Sequence, residues 1–147
     1  MNTWTIEGGE PLKGEVSLSG AKNSITKLLV ASLLSDEASL FRNVPDIGDR
    51  AITQEICEAV GAKFTSVSAH GLEVHTPEFT IDEISTELGN RNRLAIMMMG
   101  PLLHRKGRAV IPAAAGGDKI GPRPVNFHLQ GVEQMGAHVE VVDGVYI

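Results

Sequence analysis

The chain has 147 residues, of which 42% are hydrophobic and 21% charged, and its formal net charge at pH 7 is -5. These values are typical of a globular protein that is long enough to bury a core, and the negative charge disfavours non-specific binding to nucleic acid. A single cysteine excludes an internal disulfide, and with no signal-peptide pattern and no membrane-length apolar run we expect a cytoplasmic protein without membrane contact.

The first half of the chain alternates between strand and helix patterns. Strict alternation of apolar and polar residues predicts strands, whereas apolar residues three and four positions apart predict helices. The predicted elements are strands at 4–7 and 12–18, a helix from about residue 25 to 35, a strand at 38–41, a helix at 52–60 and a hairpin of strands at 63–67 and 71–75. Cys57 falls on the apolar side of the second helix, which favours core packing, and Gly61 is suited to end that helix.

The second half repeats this order. It predicts a helix at 93–103, a strand at 108–111, a loop from 116, a helix at 125–135 and strands at 138–142 and 145–147. Residues 56–64 align with residues 131–139, which places Gly61 and Gly136 roughly 75 residues apart. This spacing indicates a duplicated strand-helix-strand-helix-strand-strand unit, βαβαββ. The chain stops on an apolar strand, so we expect it to be a truncation.

Two loops carry the candidate chemistry, SGAKN at 19–23 and the glycine- and proline-rich stretch at 116–128. In the first, Gly20 allows a close backbone approach, Lys22 supplies a mobile charge and Asn23 supplies amide donors. In the second, Arg123 precedes a helix start, where backbone N–H groups favour an anion. Both loops suit a phosphate or carboxylate. Taken singly, each also fits an exposed connector or an ordinary helix start.

A third group of cations lies at the start of the helix at 93–103, where Arg91 and Arg93 are equivalent on physical grounds. Cations at three helix starts suggest one shared anionic ligand. Asp118 is the only carboxylate of the glycine loop and is the candidate general acid, although Lys119 and Arg123 favour its ionised form. The histidines lack metal-ligand spacing, so we predict no metal site, and residues 97–99 are three core methionines.

These residues resemble the N-terminal portion of the UDP-N-acetylglucosamine enolpyruvyl transferases, also called 1-carboxyvinyltransferases. The similarity runs through the whole chain, which is about a third of a family member. The sister family that makes 5-enolpyruvylshikimate 3-phosphate has Gly-Ser-Lys-Ser where this chain has GAKN at 20–23, which favours the sugar-nucleotide branch. The matching segments are LKGEV at 12–16, SGAKN at 19–23, NVP at 43–45, GP at 100–101, GPRPV at 121–125 and GVEQMGA at 131–137.

The resemblance implies an α/β fold, the inside-out α/β barrel of this family, in which each of two domains holds three βαβαββ units. Two of the units would be present here. Residues 1–21 would form N-terminal strands that pack on the missing second domain. Residues 22–147 would form a partial catalytic domain with units at about 22–80 and 90–147.

The reaction that the resemblance implies is transfer of enolpyruvate from phosphoenolpyruvate to the 3-hydroxyl of UDP-N-acetylglucosamine, with release of phosphate. It is the first committed step of peptidoglycan synthesis, and we expect no cofactor. Lys22 and Asn23 would bind phosphoenolpyruvate, and Arg93 rather than Arg91 would contact the sugar nucleotide. The remaining residues of the nucleotide-sugar site would be Arg123, Pro124, Val125, Asn126 and Phe127.

Two departures from the family pattern change the expectations. Most members carry a cysteine as general acid where this chain has Asp118, and a carboxylate is a poor nucleophile toward an epoxide, so we expect insensitivity to fosfomycin. The family's base and a further arginine lie outside this chain, so we expect it to be inactive without the C-terminal portion or a complementing chain, and able to self-associate. A non-catalytic anion- or nucleotide-sugar-binding module and a 5-enolpyruvylshikimate 3-phosphate synthase-type enzyme are the alternatives.

Overall fold

The computed structural model describes residues 3–9, 11–113 and 124–147. The helices are α1 Lys22–Ser32, α2 Gly48–Ala59, α3 Thr86–Gly89, α4 Met99–Lys106 and α5 Asn126–Gln134, with a 3-10 segment at Arg93–Met98 that leads directly into α4. The strands are β1 Ser39–Phe41, β2 Lys63–Ser68, β3 Gly71–His75, β4 Ile111–Pro112, β5 Val141–Val142 and β6 Val145–Tyr146. None of the helices in these ranges is long and apolar enough to span a membrane.

The strands form two sheets with the same topology. Their orders are β1-β3-β2 and β4-β6-β5, so the last strand of each unit lies in the middle and all pairs are antiparallel. Val74 is paired with both Ser39 and Phe64, and Tyr146 is paired with both Ile111 and Val141. The repeated order confirms the predicted duplication of the α/β unit.

Both repeated helices end at equivalent glycines. Gly61 follows α2 with a φ of 112° and Gly136 follows α5 with a φ of 101°, both in the left-handed region that a side chain disfavours. A Cβ on Gly61 would also lie 2.6 Å from the backbone oxygen of Glu78. The predicted helix ends are therefore confirmed.

The core lies between α1, α2, the 3-10 segment with α4, and the first sheet. Cys57 is fully buried, and Met98 and Met99 belong to the same buried cluster, as the sequence predicted, whereas Met97 is only partly buried. Other fully buried side chains of this core are Leu29, Leu33, Ile56, Val74, Leu102 and Ile111.

Arg105, in the last turn of α4, connects the two units. Its guanidinium donates hydrogen bonds to backbone oxygens at the end of α1 and after β3, and it lies 5.0 Å from the ring centroid of Phe79. Because the 3-10 segment runs into α4, these contacts also hold the start of that segment relative to α1. The acceptors are the oxygens of Leu33 at 3.3 Å, Ser35 at 3.0 Å, Thr76 at 2.8 Å and Pro77 at 2.9 Å.

The prediction of strands at 4–7 and 12–18 is wrong for this chain. The described residues there adopt no regular structure, and side chains such as Trp4 and Leu12 are exposed. Alternating hydrophobicity does not form a strand by itself, because the backbone N–H and C=O groups need a partner strand, and these residues pair with none in the described parts of the chain. Whether residues 1–21 pack on a second domain stays a prediction.

Several boundaries also differ from expectation. α1 begins at Lys22 rather than Ile25, so the last two residues of the SGAKN motif open the helix. The predicted helix at 93–103 begins as a tighter 3-10 segment and extends to Lys106, where Gly107 ends it with a φ of 71°. The strand expected at 108–111 is β4 at Ile111–Pro112, preceded by a parallel bridge between Glu83 and Val110.

Candidate anion-binding cleft

A cleft of about 700 Å³ opens where the start of α1, the start of α2 and the 3-10 segment meet near the start of α5. Side chains of both duplicated units line it. Its described lining carries four cations, Lys22, Lys27, Arg91 and Arg93, against one carboxylate, Asp49. A concave surface with this excess of positive charge attracts anions, since the charges of a cleft add and its walls exclude part of the solvent.

The start of α1 lies at the border of this cleft. Ala21, the residue before the helix, has an extended backbone and offers no capping side chain, and the first turn contains no acidic residue. The positive end of the helix dipole is therefore not neutralised within its own first turn, and Lys22 and Asn23 stand there. This combination favours a bound anion more than a capped helix start would.

Gly20 of the SGAKN motif allows a close contact between two segments of the chain. A Cβ on Gly20 would lie 2.0 Å from the backbone oxygen of Asn43, so only glycine lets the two segments approach. Asn43 in turn donates from Nδ2 to the oxygen of Leu18 at 3.2 Å. The close approach predicted for Gly20 exists, but its partner is the loop after β1, which fixes where α1 begins.

Lys22 forms an ion pair with Asp49, with 2.7 Å between Nζ and Oδ2. Asp49 belongs to the first turn of α2, where a negative charge complements the helix dipole. The Lys22 side chain is 64% exposed and that of Asp49 33%, so the pair lies at the cleft border and not in the core.

Arg91 and Arg93 both border the cleft but differ in their surroundings. The Arg91 guanidinium makes a two-pronged ion pair with the Glu55 carboxylate of α2, and that hydrogen bonding is the main cause that raises the pKa of Arg91. Arg93 opens the 3-10 segment and is partly buried. Any ligand that binds the guanidinium of Arg91 must compete with the carboxylate of Glu55.

Comparisons with known proteins identify the family of this chain. A sequence profile of the EPSP synthase (3-phosphoshikimate 1-carboxyvinyltransferase) family matches residues 6–147. The chain belongs to this family. Its predicted resemblance to the UDP-N-acetylglucosamine enolpyruvyl transferases is confirmed by its relatives, which carry the name UDP-N-acetylglucosamine 1-carboxyvinyltransferase.

The relatives share most of this chain. The protein of Chlamydia abortus is 49% identical over 91% of the chain, that of Protochlamydia amoebophila 47% over 95%, and that of Wolinella succinogenes 36% over 100%. The chain spans only 30%, 30% and 35% of their respective lengths. The crystal structure of the enolpyruvyl transferase NikO from Streptomyces tendae matches with a TM-score of 0.76 at 25% identity, covering 95% of this chain and 30% of that one. The predicted enolpyruvyl transferase fold is thus confirmed.

The structure brings several of the predicted site residues of this family member together. Lys22, Asn23, Arg93 and Val125 all line the cleft. Pro124, Asn126 and the exposed Phe127 are not part of its described lining, and their role stays a prediction. Asp118 and Arg123 lie outside the residues that the structure describes, so their predicted roles also stay predictions.

The sequence reasoning missed Asp49 and Asn92, which also line the cleft. Both stand at helix starts, where an acidic residue or an asparagine is a recognisable signal. Asp49 lies in the first turn of α2, and Asn92 caps the 3-10 segment. As for metals, residues 3–9, 11–113 and 124–147 contain no group of three or more His, Cys, Asp or Glu side chains that could hold an ion.

Proposed function

We propose that this chain supplies part of the substrate cleft of an enzyme that transfers enolpyruvate from phosphoenolpyruvate to the 3-hydroxyl of UDP-N-acetylglucosamine, releasing phosphate. The observation that carries the proposal is the meeting of Lys22 and Arg93, from the two duplicated units, on one cleft at the uncapped start of α1. Both substrates are anionic, one through a phosphate and a carboxylate and the other through a diphosphate. The reaction would serve peptidoglycan synthesis.

The residues divide between the two substrates in this proposal. Lys22 and Asn23, at the end of α1 where the helix dipole is positive, would hold phosphoenolpyruvate. Arg93 would hold the diphosphate of the sugar nucleotide, with residues 123–127 completing that site; Val125 already borders the cleft. Asp118 would donate a proton to the methylene carbon of phosphoenolpyruvate.

We further propose that the chain is catalytically inactive alone. It spans about a third of the length of its relatives, and a cleft with one wall cannot exclude water from a reactive intermediate. Its partner would be the remaining portion of the same protein or a complementing chain. The exposed apolar side chains of Trp4, Ile6 and Val16 support contact with such a partner or with a second copy.

Isothermal titration of UDP-N-acetylglucosamine into the purified chain tests the cleft. We expect weak binding that Arg93→Ala abolishes and that Arg42→Ala, an exposed arginine outside the described lining, leaves unchanged. Arg123→Ala is measured beside them and is expected to weaken binding. Equal effects of the Arg93 and Arg42 changes, or no binding by the unaltered chain, would contradict a preformed half-site.

The family profile bears the name of the shikimate-pathway enzyme, so a 5-enolpyruvylshikimate 3-phosphate synthase-type activity is the second candidate. Titration of shikimate 3-phosphate under the same conditions separates the two, and tighter binding of that ligand would favour the second candidate. A non-catalytic binding module is distinguished by a phosphate-release assay, because a complementing portion would restore turnover only to an enzyme.

A further inference from the structure

Asn92 occupies the position between the two cleft arginines and has an unusual hydrogen-bond balance. It is 6% exposed, and its Oδ1 accepts a hydrogen bond from the backbone N–H of Leu94 at 2.9 Å, which caps the 3-10 segment. Because the Leu94 group is a donor, it requires the amide oxygen and not the amide nitrogen on that side. The direction of the Asn92 amide is therefore determined by its neighbour.

The other end of this amide is unsatisfied. Nδ2 of Asn92 is inaccessible to solvent and has no hydrogen-bond partner among the residues that the structure describes. A buried amide donor without an acceptor destabilises the fold, so such groups are rare in folded proteins. A residue that only capped the segment could do so at lower cost as serine, which caps well without a second donor.

The surroundings of Asn92 indicate what the missing acceptor is. Asn92 lines the same cleft as Lys22, Asn23 and Arg93, where the described charges favour an anion. We propose that Asn92 is a ligand-binding residue whose Nδ2 donates a hydrogen bond to a phosphate oxygen of the anion held in this cleft. Because Nδ2 is inaccessible in the free chain, the contact requires the atoms that cover it to rearrange around the ligand. The inference concerns the same cleft and so rests on the proposed function.

Nuclear magnetic resonance on the ¹⁵N-labelled chain tests the contact directly. The side-chain amide signals of Asn92 are assigned by their loss in Asn92→Ser, and inorganic phosphate, phosphoenolpyruvate and UDP-N-acetylglucosamine are titrated separately. We expect the Asn92 signals to shift and saturate together with binding measured by calorimetry. Which ligand moves them identifies the source of the phosphate oxygen.

Two variants separate the role of Asn92 as a hydrogen-bond donor from its role as a helix cap. Asn92→Asp keeps an oxygen for the Leu94 N–H and replaces Nδ2 with a second oxygen, whereas Asn92→Ser keeps a neutral cap and removes the donor. We expect either change to raise the Kd of the phosphate ligand about tenfold or more, while the melting temperature of the free Asn92→Ser chain stays the same or rises. Asn90→Ser, at an exposed asparagine outside the described lining, is the matched control and should leave Kd unchanged.

The outcomes separate this inference from the proposed function. Asn92 signals that no ligand shifts, or an unchanged Kd in Asn92→Ser, overturn the inference even if UDP-N-acetylglucosamine binds. Asn92 signals that respond to inorganic phosphate or phosphoenolpyruvate support it even if UDP-N-acetylglucosamine does not bind, in which case the assignment of the sugar nucleotide fails.

Discussion

Lys22 and Asp49 join the first turns of α1 and α2 through an ion pair of 2.7 Å at the border of the cleft. The pair places the carboxylate of Asp49 beside the cation that is proposed to meet phosphoenolpyruvate. Exposed ion pairs contribute at most about 1 kcal/mol to stability, so its main effect here is on the charge of the cleft. An incoming anion gains the attraction of Lys22 but also meets the repulsion of Asp49.

Asp49→Asn is expected to strengthen binding of inorganic phosphate by about three- to tenfold at low ionic strength, with a smaller gain at high salt. The free energy of unfolding should change by less than about 1 kcal/mol. Asp46→Asn, in the exposed loop before α2, is the matched control and should not alter affinity. Weaker phosphate binding by the Asp49 variant would instead mean that Asp49 is needed to hold Lys22 in place.

Arg105→Ala is expected to lower the free energy of unfolding by about 3 kcal/mol, since hydrogen bonds from a charged group are among the stronger ones and the carbonyl of the buried Thr76 loses its donor. Arg105→Lys keeps the charge but lacks the planar guanidinium that donates to several carbonyls at once. It should lower the free energy of unfolding by about half as much. Urea unfolding measures both. Arg108→Ala, which breaks an exposed pair with Asp82, should cost under about 1 kcal/mol; a similar loss at both arginines would refute the connecting role of Arg105.

Cys57 makes the chain sensitive to alkaline pH. Burial, with a smaller effect of the Glu58 charge, raises the pKa of the folded thiol from 9.0 to about 12. Above pH 9 the thiol ionises only in the unfolded state, so stability falls as pH rises from 9 to 12, by up to about 1.4 kcal/mol per pH unit. Below pH 9 the thiol contributes no pH dependence.

The difference in unfolding free energy between the chain and Cys57→Ala, followed from pH 8 to pH 11, isolates this effect because other titrating groups cancel. We expect the stability advantage of the cysteine to shrink steadily above pH 9. The folded chain should also react with a thiol reagent only as fast as it unfolds. Rapid labelling under native conditions would show that Cys57 is accessible.

Because this chain has an aspartate at position 118, we predict that it is insensitive to fosfomycin. Intact-mass measurement after incubation with the drug should find no adduct at position 118, because a carboxylate attacks an epoxide poorly and the single thiol of the chain, Cys57, is buried. Asp118→Cys is the positive control and should acquire an adduct if the cleft binds the drug. An adduct on the unaltered Asp118 would contradict the prediction.

The local features of this protein could be read from the sequence. The buried faces of α1 and α2, the helix ends at Gly61 and Gly136 and the repeated order of elements depend on residues close together in the chain. Their signals are periodicity and backbone preference, which act over a few residues. The motifs that resemble those of the enolpyruvyl transferases also allowed the family to be predicted from the sequence.

The tertiary structure decided the contacts between distant residues. The ion pair of Arg91 with Glu55 arises only when the two units pack together, and that of Lys22 with Asp49 arises only when α1 packs on α2 within the first unit. The unsatisfied amide of Asn92 likewise exists only once the fold buries that residue. The same reason explains the wrong strands at 4–7 and 12–18, because a strand exists only where another backbone satisfies its polar groups. Local patterns determined which elements form, and long-range packing determined which side chains meet at the cleft.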